Sequence, residues 1–160
     1  MSRQFATLIR RFPALIRLPF LIFRRLQSRY TIGVAGVVLN EQGRVLIVEH
    51  TYHPRYPWGL PGGWIGEDED PADAILRELR EELQLAAEVT TVLHTAKPFR
   101  NHIDMSFLCN SLSPVGKLSM ELLDFRWADP DNLPDLHEFH RQSIKIAVGC
   151  GARGDKWERN

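Results

Sequence analysis

Three glutamates with helical spacing are the residues of this 160-residue chain best suited to do chemistry. Glu78, Glu81 and Glu82 stand at i, i+3 and i+4, so a helix places all three carboxylates on one side. Like charges at this spacing repel one another, and a fold tolerates them where they are solvated or where a cation neutralises them. Hard ions such as Mg²⁺ or Mn²⁺ prefer carboxylate oxygens. The cluster is therefore either a solvated acidic face or a metal site.

The helix that must carry these glutamates is predicted from Pro71 to about Gln84. Asp70 suits the N-cap, Pro71 suits the first helical position, and Asp73 adds negative charge to the first turn. At about 100° per residue, apolar residues fall together on the neighbouring face. We expect the buried positions of this helix to be Ala72, Ile75, Leu76, Leu79 and Leu83.

The spacing around this helix matches a family signature. Gly63 is followed after five residues by Glu69, and after seven more by RELREELQL at 77–85. This pattern resembles the Nudix box, in which a glycine, a glutamate and Arg-Glu-aliphatic-x-Glu-Glu-x-Gly-aliphatic stand at the same intervals. The segment LPGG at 60–63 also resembles the sequence that leads into that box. At the level of fold, the likeness extends over roughly 31–148.

The resemblance implies a hydrolase that uses Mg²⁺ or Mn²⁺ to cleave a diphosphate linkage in a small nucleotide, a nucleoside diphosphate joined to another moiety. In that family Arg77 and Glu69 would hold the carboxylates in place, with Glu69 in a structural role. Because such a metal activates water, no covalent nucleophile is needed. The metal ligands that the resemblance implies are a backbone carbonyl near Gly63 and the carboxylates of Glu78, Glu81 and Glu82.

Two residues depart from the signature. Gln84 replaces the last glycine of the box, and Asp68 stands where family members often have glycine. Since a left-handed backbone costs a non-glycine residue on the order of 1 kcal/mol, we expect an altered loop geometry at Gln84 with the chemistry retained. Glu67 beside Asp68 leaves open which acid takes the structural role of Glu69.

The general base of this family usually lies outside the box. By resemblance Glu121 is the best placed candidate and Asp124 is the second. The alternative for Glu121 is a surface acid ahead of a strand.

The loop before the box carries the candidate substrate-binding residues, which are Tyr52, His53, Arg55 and Trp58. Aromatic faces could stack on a base and Arg55 could bind phosphate, whereas the alternative is a packed, proline-rich loop. His137 and His140 have a spacing compatible with a metal but lack a third ligand, which favours surface or packing roles. The segment 99–102 is polar enough to reach a substrate, and ordinary turn residues explain it as well.

The remaining elements surround these residues. Runs at 31–39 and 44–49 predict two strands joined as a hairpin by a turn at 40–43, and further strands are predicted at 88–96, 102–109 and 120–127. A last helix is predicted at 134–148. The pattern predicts an α/β (α+β) domain, a Nudix-like mixed β-sheet with packed helices. We expect the last helix to bury Leu136, Phe139, Ile144 and Val148.

Composition and charge set the organisation of the chain. A mass of 18.4 kDa with 44% hydrophobic residues fits one globular domain. Residues 1–30 hold seven of the 20 basic residues and no acid, which leaves 13 basic and 20 acidic residues for 31–160. Cys109 and Cys150 lack metal-site spacing, so a reducing, cytoplasmic compartment is expected. We predict a basic arm at 1–29, a hydrolase domain at 30–150 and a polar tail at 151–160.

The uncharged apolar run of the arm is too short for a membrane span or a standard secretory signal. The arginines of the arm form a helical stripe at Arg3, Arg10, Arg17 and Arg24, interrupted by Pro13 and Pro19. The alternatives are attachment to an anionic membrane, packing on its own domain or on a second copy in a homodimer, and a mitochondrial presequence.

Two rival functions remain beside small-nucleotide hydrolysis. One is a non-catalytic nucleotide-binding module, against which the intact carboxylates argue. The other is an RNA-processing hydrolase that uses the basic arm, although the arm lacks the composition of a known RNA-reading motif, so nucleic acid is not an expected partner.

Overall fold

The computed structural model of the chain describes residues 19–23, 25 and 27–152. The chain divides into two compact units, Met1–Tyr30 and Thr31–Asn160. In the first unit residues 19–23 and 25 are helical, and the side chains of Phe20, Leu21, Ile22 and Phe23 are exposed. The predicted arginine stripe (Arg3, Arg10, Arg17 and Arg24), the break at Pro13 and the tail from residue 153 onward lie outside the described residues.

No helix in the described part of the chain is long and apolar enough to cross a membrane.

The second unit consists of seven strands and two helices in its described part. In chain order they are β1 Thr31–Val38, β2 Val45–His50, β3 Trp58–Gly59, β4 Gly62–Trp64, α1 Pro71–Leu83, β5 Ala87–Ala96, β6 His102–Ser111, β7 Leu122–Ala128 and α2 Glu138–Ala152.

The strands form two sheets. The larger sheet has the order β4-β1-β6-β5, with β1 parallel to β6 and the other neighbours antiparallel. The smaller sheet is antiparallel in the order β3-β2-β7. The predicted mixed α+β architecture is confirmed, with a second sheet that the sequence pattern did not separate from the first.

The predicted hairpin of β1 and β2 is wrong. The turn itself is formed, because the Asn40 side chain accepts hydrogen bonds from the backbone N–H groups of Gln42 and Arg44. Beyond it only Leu39 and Val45 form a bridge. A strand has two hydrogen-bonding edges, and β1 uses both on β4 and β6, so β2 pairs with β3 and β7 instead.

Alternating residues of β1 direct the packing of the two helices. Val34 and Val38 belong to a buried cluster with residues of α1, whereas Ala35 and Val37 belong to a cluster with residues of α2. Because successive side chains of a strand point to opposite faces, the helices lie on opposite sides of β1. This packing fixes α1, which carries the three glutamates, against the larger sheet.

The last helix begins four residues later than predicted. His137 acts as its N-cap, since its ring Nδ1 accepts from the Phe139 N–H at 3.4 Å and its carbonyl accepts from the Arg141 N–H at 3.1 Å. Leu136 is buried although it precedes the helix. Val148 is 36% exposed, so its predicted burial is wrong.

Candidate active site

The ends of α1 are fixed by local hydrogen bonds. The Asp70 side chain accepts from the Ala72 N–H at 2.8 Å, as expected of an N-cap. At the other end Gln84 adopts the left-handed conformation, with φ 48° and ψ 33°, and its N–H donates to the Arg80 carbonyl at 3.0 Å. The expected alteration of the loop at Gln84 is therefore not observed: glutamine itself forms the left-handed cap that glycine would supply.

Asp68, the second departure from the signature, also has a positive φ of 58°. Both residues that replace glycine thus stand where the backbone is left-handed, which explains why glycine is favoured at these positions.

Arg77 connects the carboxylates of the site through four of its five hydrogen bonds. Its Nε and Nη2 donate to the two oxygens of Glu69, at 2.8 and 2.9 Å, and Nη2 also donates to the Trp64 carbonyl at 3.0 Å. Its Nη1 donates to Glu78 at 2.8 Å and to Glu81 at 3.2 Å. A single guanidinium therefore fixes the positions of three carboxylates.

Glu69 accepts hydrogen bonds from Arg77 through both of its carboxylate oxygens. For this structural role the sequence left Glu67 open as an alternative. Glu69 Oε2 also accepts from the Gly66 N–H at 2.8 Å. The hydrogen bonds from Arg77 and Gly66 lower the pKa of Glu69 to about 2. The same ion pair raises the pKa of Arg77 above its usual range. Both groups hence stay charged at physiological pH.

Glu82 differs from its neighbours because its side chain is buried, with only 3% of the residue exposed. One of its oxygens accepts from the Gly62 N–H at 3.0 Å. Burial, together with the charges of Glu78, Glu121 and Glu81, raises the pKa of Glu82 to about 8. The glutamates do not form the evenly solvated face that was one alternative: Glu82 is buried and Glu81 is exposed, with a side chain 60% accessible.

Gly62 and Gly63 allow the backbone of β4 to approach the carboxylates. A Cβ at Gly62 would overlap the Val34 carbonyl oxygen of the neighbouring strand. A Cβ at Gly63 would overlap the carboxylate of Glu78. Any larger residue at Gly63 would therefore displace Glu78 or the strand.

Glu121 lies beside Glu82 because its loop is bonded to the last turn of α1. The Ser119 N–H donates to the Glu82 carbonyl at 2.9 Å, and the Ser119 hydroxyl accepts from the Glu121 N–H at 3.3 Å. The Tyr52 hydroxyl donates to the Glu121 carboxylate at 3.4 Å. Burial and the charge of Glu121 raise the pKa of Tyr52.

Asp124, the second candidate base, is an exposed residue of β7. Its carboxylate accepts from the N–H of the following residue, Phe125, at 2.8 Å.

Among the described residues, no group of three or more histidine, cysteine, aspartate or glutamate side chains is arranged to hold a metal ion. The hydrogen bonds explain this arrangement, since Glu78 and Glu81 point at Arg77 and Glu82 points at the Gly62 N–H. The chemistry of the carboxylates nevertheless fits a hard cation. Burial and three neighbouring carboxylates disfavour the negative charge of Glu82 and raise its pKa, and a divalent cation would supply the positive charge that these carboxylates lack.

Two adjoining cavities extend from this site. The inner cavity, of about 310 Å³, includes Gly62, Gly63, Trp64 and Tyr52 in its lining. The outer cavity, of about 420 Å³, is lined by three of the predicted substrate-binding residues together with aromatic and histidine side chains. Those three predicted residues are His53, Arg55 and Trp58.

The predicted substrate-binding residues differ in what they contact. The Arg55 guanidinium lies 5.3 Å from the centre of the Tyr56 ring. One face of Trp58 is covered by the Arg126 guanidinium at 4.2 Å from the ring centre, so that face does not offer a surface for a base.

Histidines of the cavities were missed as site residues. His50 and His140 line both cavities, and the Leu60 N–H donates to His140 Nδ1 at 3.2 Å. Burial and a neighbouring histidine lower the pKa of His50 to about 4 and that of His140 to about 3. Both rings are therefore neutral. Of His50 and His140, only His140 had a signal in the sequence, its spacing from His137, for which surface or packing roles are the expectation.

Asp104 was also missed, whereas His102 belongs to the segment 99–102, which the sequence left open between substrate contact and a turn. The two residues stand two apart on β6, and Asp104 lines both cavities. For Asp104, alternation with His102 on a strand is the only signal that the sequence contained.

Comparison with known proteins agrees with the box and the fold. The NUDIX domain family model matches residues 29–146. A MutT-like protein of Streptomyces ambofaciens is 31% identical over 107 residues, which are 66% of this chain and 68% of that protein. An RNA pyrophosphohydrolase of Gluconacetobacter diazotrophicus is 43% identical over 61 residues, but the match covers only 34% of this chain and 36% of that protein.

Solved structures show the same fold. An ADP-ribose pyrophosphatase of Streptococcus suis superposes with a TM-score of 0.66 at 21% identity, covering 80% of this chain and 96% of the other. At that identity the likeness concerns the fold. The family model spans most of the chain and includes the whole acidic helix with its preceding glycines. The chain belongs to the Nudix family.

Proposed function

We propose that this protein is a pyrophosphohydrolase that cleaves a diphosphate linkage in a small nucleotide, with Mg²⁺ or Mn²⁺ as cofactor. The observation that supports it best is the convergence of Glu78, Glu81 and Glu121 around the buried carboxylate of Glu82, next to a cavity of nucleotide-binding size. Family members generally use divalent metal ions. Relatives named as 8-oxo-dGTP diphosphatase and as 8-oxo-dGDP phosphatase have a related chemistry.

The carboxylates of α1 would hold the metal. Glu78 and Glu82 are the proposed ligands, Glu81 would ligate or support a second ion, and the backbone carbonyl of Gly63 would complete the ligand set. The chemistry that such an ion would supply is neutralisation of charge on the diphosphate and a more acidic bound water. Arg77 keeps Glu78 and Glu81 within reach of the same point.

Glu121 is the proposed general base. Its carboxylate takes a proton from the attacking water, the water oxygen bonds to phosphorus, and the bond from phosphorus to the bridging oxygen breaks. The Tyr52 hydroxyl, which donates to this carboxylate, positions it. Tyr52, His53, Arg55 and Trp58 remain the proposed contacts to the rest of the substrate.

The test is a panel of nucleotides assayed with Mg²⁺ and with Mn²⁺, scored by the products released. ADP-ribose, nucleotide sugars, nucleoside triphosphates, dinucleoside polyphosphates and a 5′-triphosphate RNA cover the substrates with this linkage. Glu82→Gln should abolish turnover while the protein stays folded, since it removes one ligand but keeps the shape of the side chain. Glu41→Gln, in the exposed turn between β1 and β2, is the matched control.

Turnover of Glu82→Gln within a few-fold of the parent protein would contradict the assignment of this site. A parent protein that binds these nucleotides and hydrolyses none would favour the non-catalytic binding module.

We propose that the arm at 1–29 attaches to an anionic membrane. The support for this proposal is the exposure of four consecutive apolar side chains, Phe20 to Phe23. Flotation of the full chain with liposomes, with and without anionic lipid, should show binding that Phe20→Ser with Phe23→Ser weakens. A full chain that stays unbound at low salt would assign the arm to the fold or to a homodimer.

A further inference from the structure

The inner and outer cavities share four lining residues, and one of them is an acid. His50, His53 and His140 line both cavities together with Asp104. Asp104 is the only carboxylate-bearing residue in the described lining of either cavity. It therefore supplies a hydrogen-bond acceptor where the two cavities meet.

Asp104 is held in a defined orientation. His102 Nε2 lies 2.8 Å from Asp104 Oδ1, and His102 Nδ1 lies 2.8 Å from the Thr31 hydroxyl. Opposite Asp104 on β1 is Gly33, where a Cβ would come within 2.5 Å of Asp104 Oδ1. A carboxylate has about four acceptor positions, so Asp104 can bond His102 and still accept from a ligand.

Two aromatic rings contact His102, the hydrogen-bond partner of this carboxylate. Phe99 stacks on the ring of His102 at 4.4 Å with an angle of 9°, and Trp64 contacts the same ring at 4.9 Å. Phe99 and Trp64 are 58% and 59% exposed, so apolar faces stay open to solvent beside a polar group. Such a combination suits a flat heteroaromatic ligand with polar edges.

A second observation also points to a polar ligand. His50 is 7% exposed, and its Nδ1 is buried without a hydrogen-bond partner in the described part of the chain. An unpaired buried nitrogen is costly, and in native proteins such groups usually have a partner. A polar ligand in the shared part of the cavities could supply that partner.

The inner cavity connects Asp104 with the backbone beside the acidic helix. Its lining includes Asp104 together with Gly62, whose N–H donates to Glu82, and Gly63, which abuts the Glu78 carboxylate. Trp64, Gly33 and Asp104 are register partners across β4, β1 and β6, so they share one sheet face, whereas Gly63 faces α1. Because β4 is an edge strand of its sheet, a nucleotide can pass around this edge with the diphosphate at α1 and the base at Asp104.

We propose that Asp104 reads the base of the nucleotide substrate and selects guanine. The inference rests on the proposed function, whose substrate class it narrows. A carboxylate only accepts hydrogen bonds, and guanine offers two adjacent donors, N1–H and the exocyclic N2–H. Adenine and cytosine place a ring nitrogen acceptor beside their amino group, and uracil flanks its N–H with two carbonyls.

Binding of three nucleoside monophosphates measured by calorimetry tests this selection without any turnover. Inosine monophosphate lacks the N2 amino group of guanosine monophosphate, and xanthosine monophosphate has a carbonyl there. The parent protein should bind the guanine nucleotide about 5- to 150-fold more tightly than the other two. Asp104→Asn replaces one acceptor by an N–H₂ donor, so it should reverse the preference in favour of xanthine.

Asp131→Asn is the matched control, because Asp131 is an exposed acid outside both cavities. Asparagine can still accept from His102 Nε2 through its carbonyl oxygen, so Asp104→Asn should unfold at the temperature of the parent protein. A protein that binds the three nucleotides equally, or an Asp104→Asn variant that keeps the preference for guanine, would overturn the proposal. Guanine selectivity without hydrolysis of any nucleotide would leave the inference intact and refute the proposed function.

Discussion

The buried carboxylate of Glu82 predicts an unusual dependence of stability on pH. In the folded protein its pKa is raised to about 8, whereas a glutamate in the unfolded chain has the ordinary value of 4.5. Between these values the folded state holds a proton that the unfolded state has released. The contribution of Glu82 to stability therefore falls as the pH rises from about 4.5 to about 8, and it stays at its low level above that.

The size of this effect follows from the two pKa values. At about 1.4 kcal/mol per pH unit, the difference between 4.5 and about 8 corresponds to roughly 5 kcal/mol above pH 8 and roughly 3 kcal/mol at pH 7. Both figures are upper values, because Glu78, Glu121 and Glu81 share the charge. Glu82→Gln removes the titration and keeps an oxygen for the Gly62 N–H. The variant should thus be more stable than the parent protein in metal-free buffer near neutral pH.

Denaturant unfolding in EDTA, at a series of pH values, measures this difference. The stability advantage of Glu82→Gln should grow from near zero at about pH 4.5 to its maximum near pH 8, and Glu41→Gln should follow the parent protein. Added Mg²⁺ should stabilise the parent protein more than Glu82→Gln, because a cation bound only to the folded state shifts the equilibrium. Parallel stability curves for the parent protein and Glu82→Gln between about pH 5 and pH 8 would refute the reasoning.

Three further predictions concern the residues around Glu82. Gly63→Ala should lower turnover by about 10²-fold, because the added methyl displaces the Glu78 carboxylate. Gly149→Ala, whose methyl meets nothing within 4 Å, should leave the rate unchanged. Equal rates for the two variants would contradict the close approach of Gly63 to Glu78. Gln84→Gly should raise the free energy of unfolding, measured by urea titration, by about 0.5–1 kcal/mol, because glycine adopts the left-handed cap without strain. A destabilised variant would show that the contacts of the glutamine side chain outweigh this strain. Glu121→Gln should lower kcat by about 10²–10⁴-fold with nearly unchanged Mg²⁺ binding, and an unchanged kcat would exclude Glu121 as the base.

Local signals in the sequence located most elements of the fold, and nonlocal pairing was where they failed. Asp70 and Pro71 predicted the start of α1 because capping and proline geometry act within a few residues. The turn at 40–43 was equally local, but the hairpin inferred from it was wrong. Which strand pairs with β1 depends on β4 and β6, and β6 lies some 70 residues away along the chain. No pattern within 31–50 contains that information.

The candidate site divides in the same way. The spacing of the box placed Glu69, Arg77 and the three glutamates together, since they lie within one loop and one helix. The carboxylate at Asp104 and the orphan nitrogen of His50 come together only through the sheet and α2. Each of them looks like an ordinary strand residue in the sequence, so their shared position becomes visible only in the folded chain.

The two departures from the box show that a signature describes backbone geometry as well as side-chain chemistry. Asp68 and Gln84 both have a positive φ, at positions where the family pattern has glycine. The cost of this conformation, on the order of 1 kcal/mol for each residue, is small beside the interactions that fix α1, so the chain keeps the geometry with other residues. At Gly63 we expect no such substitution to be tolerated, because the neighbour is a carboxylate that Arg77 holds in place. Glycine is therefore dispensable where only the backbone requires it, and indispensable where a functional carboxylate occupies the space of a side chain.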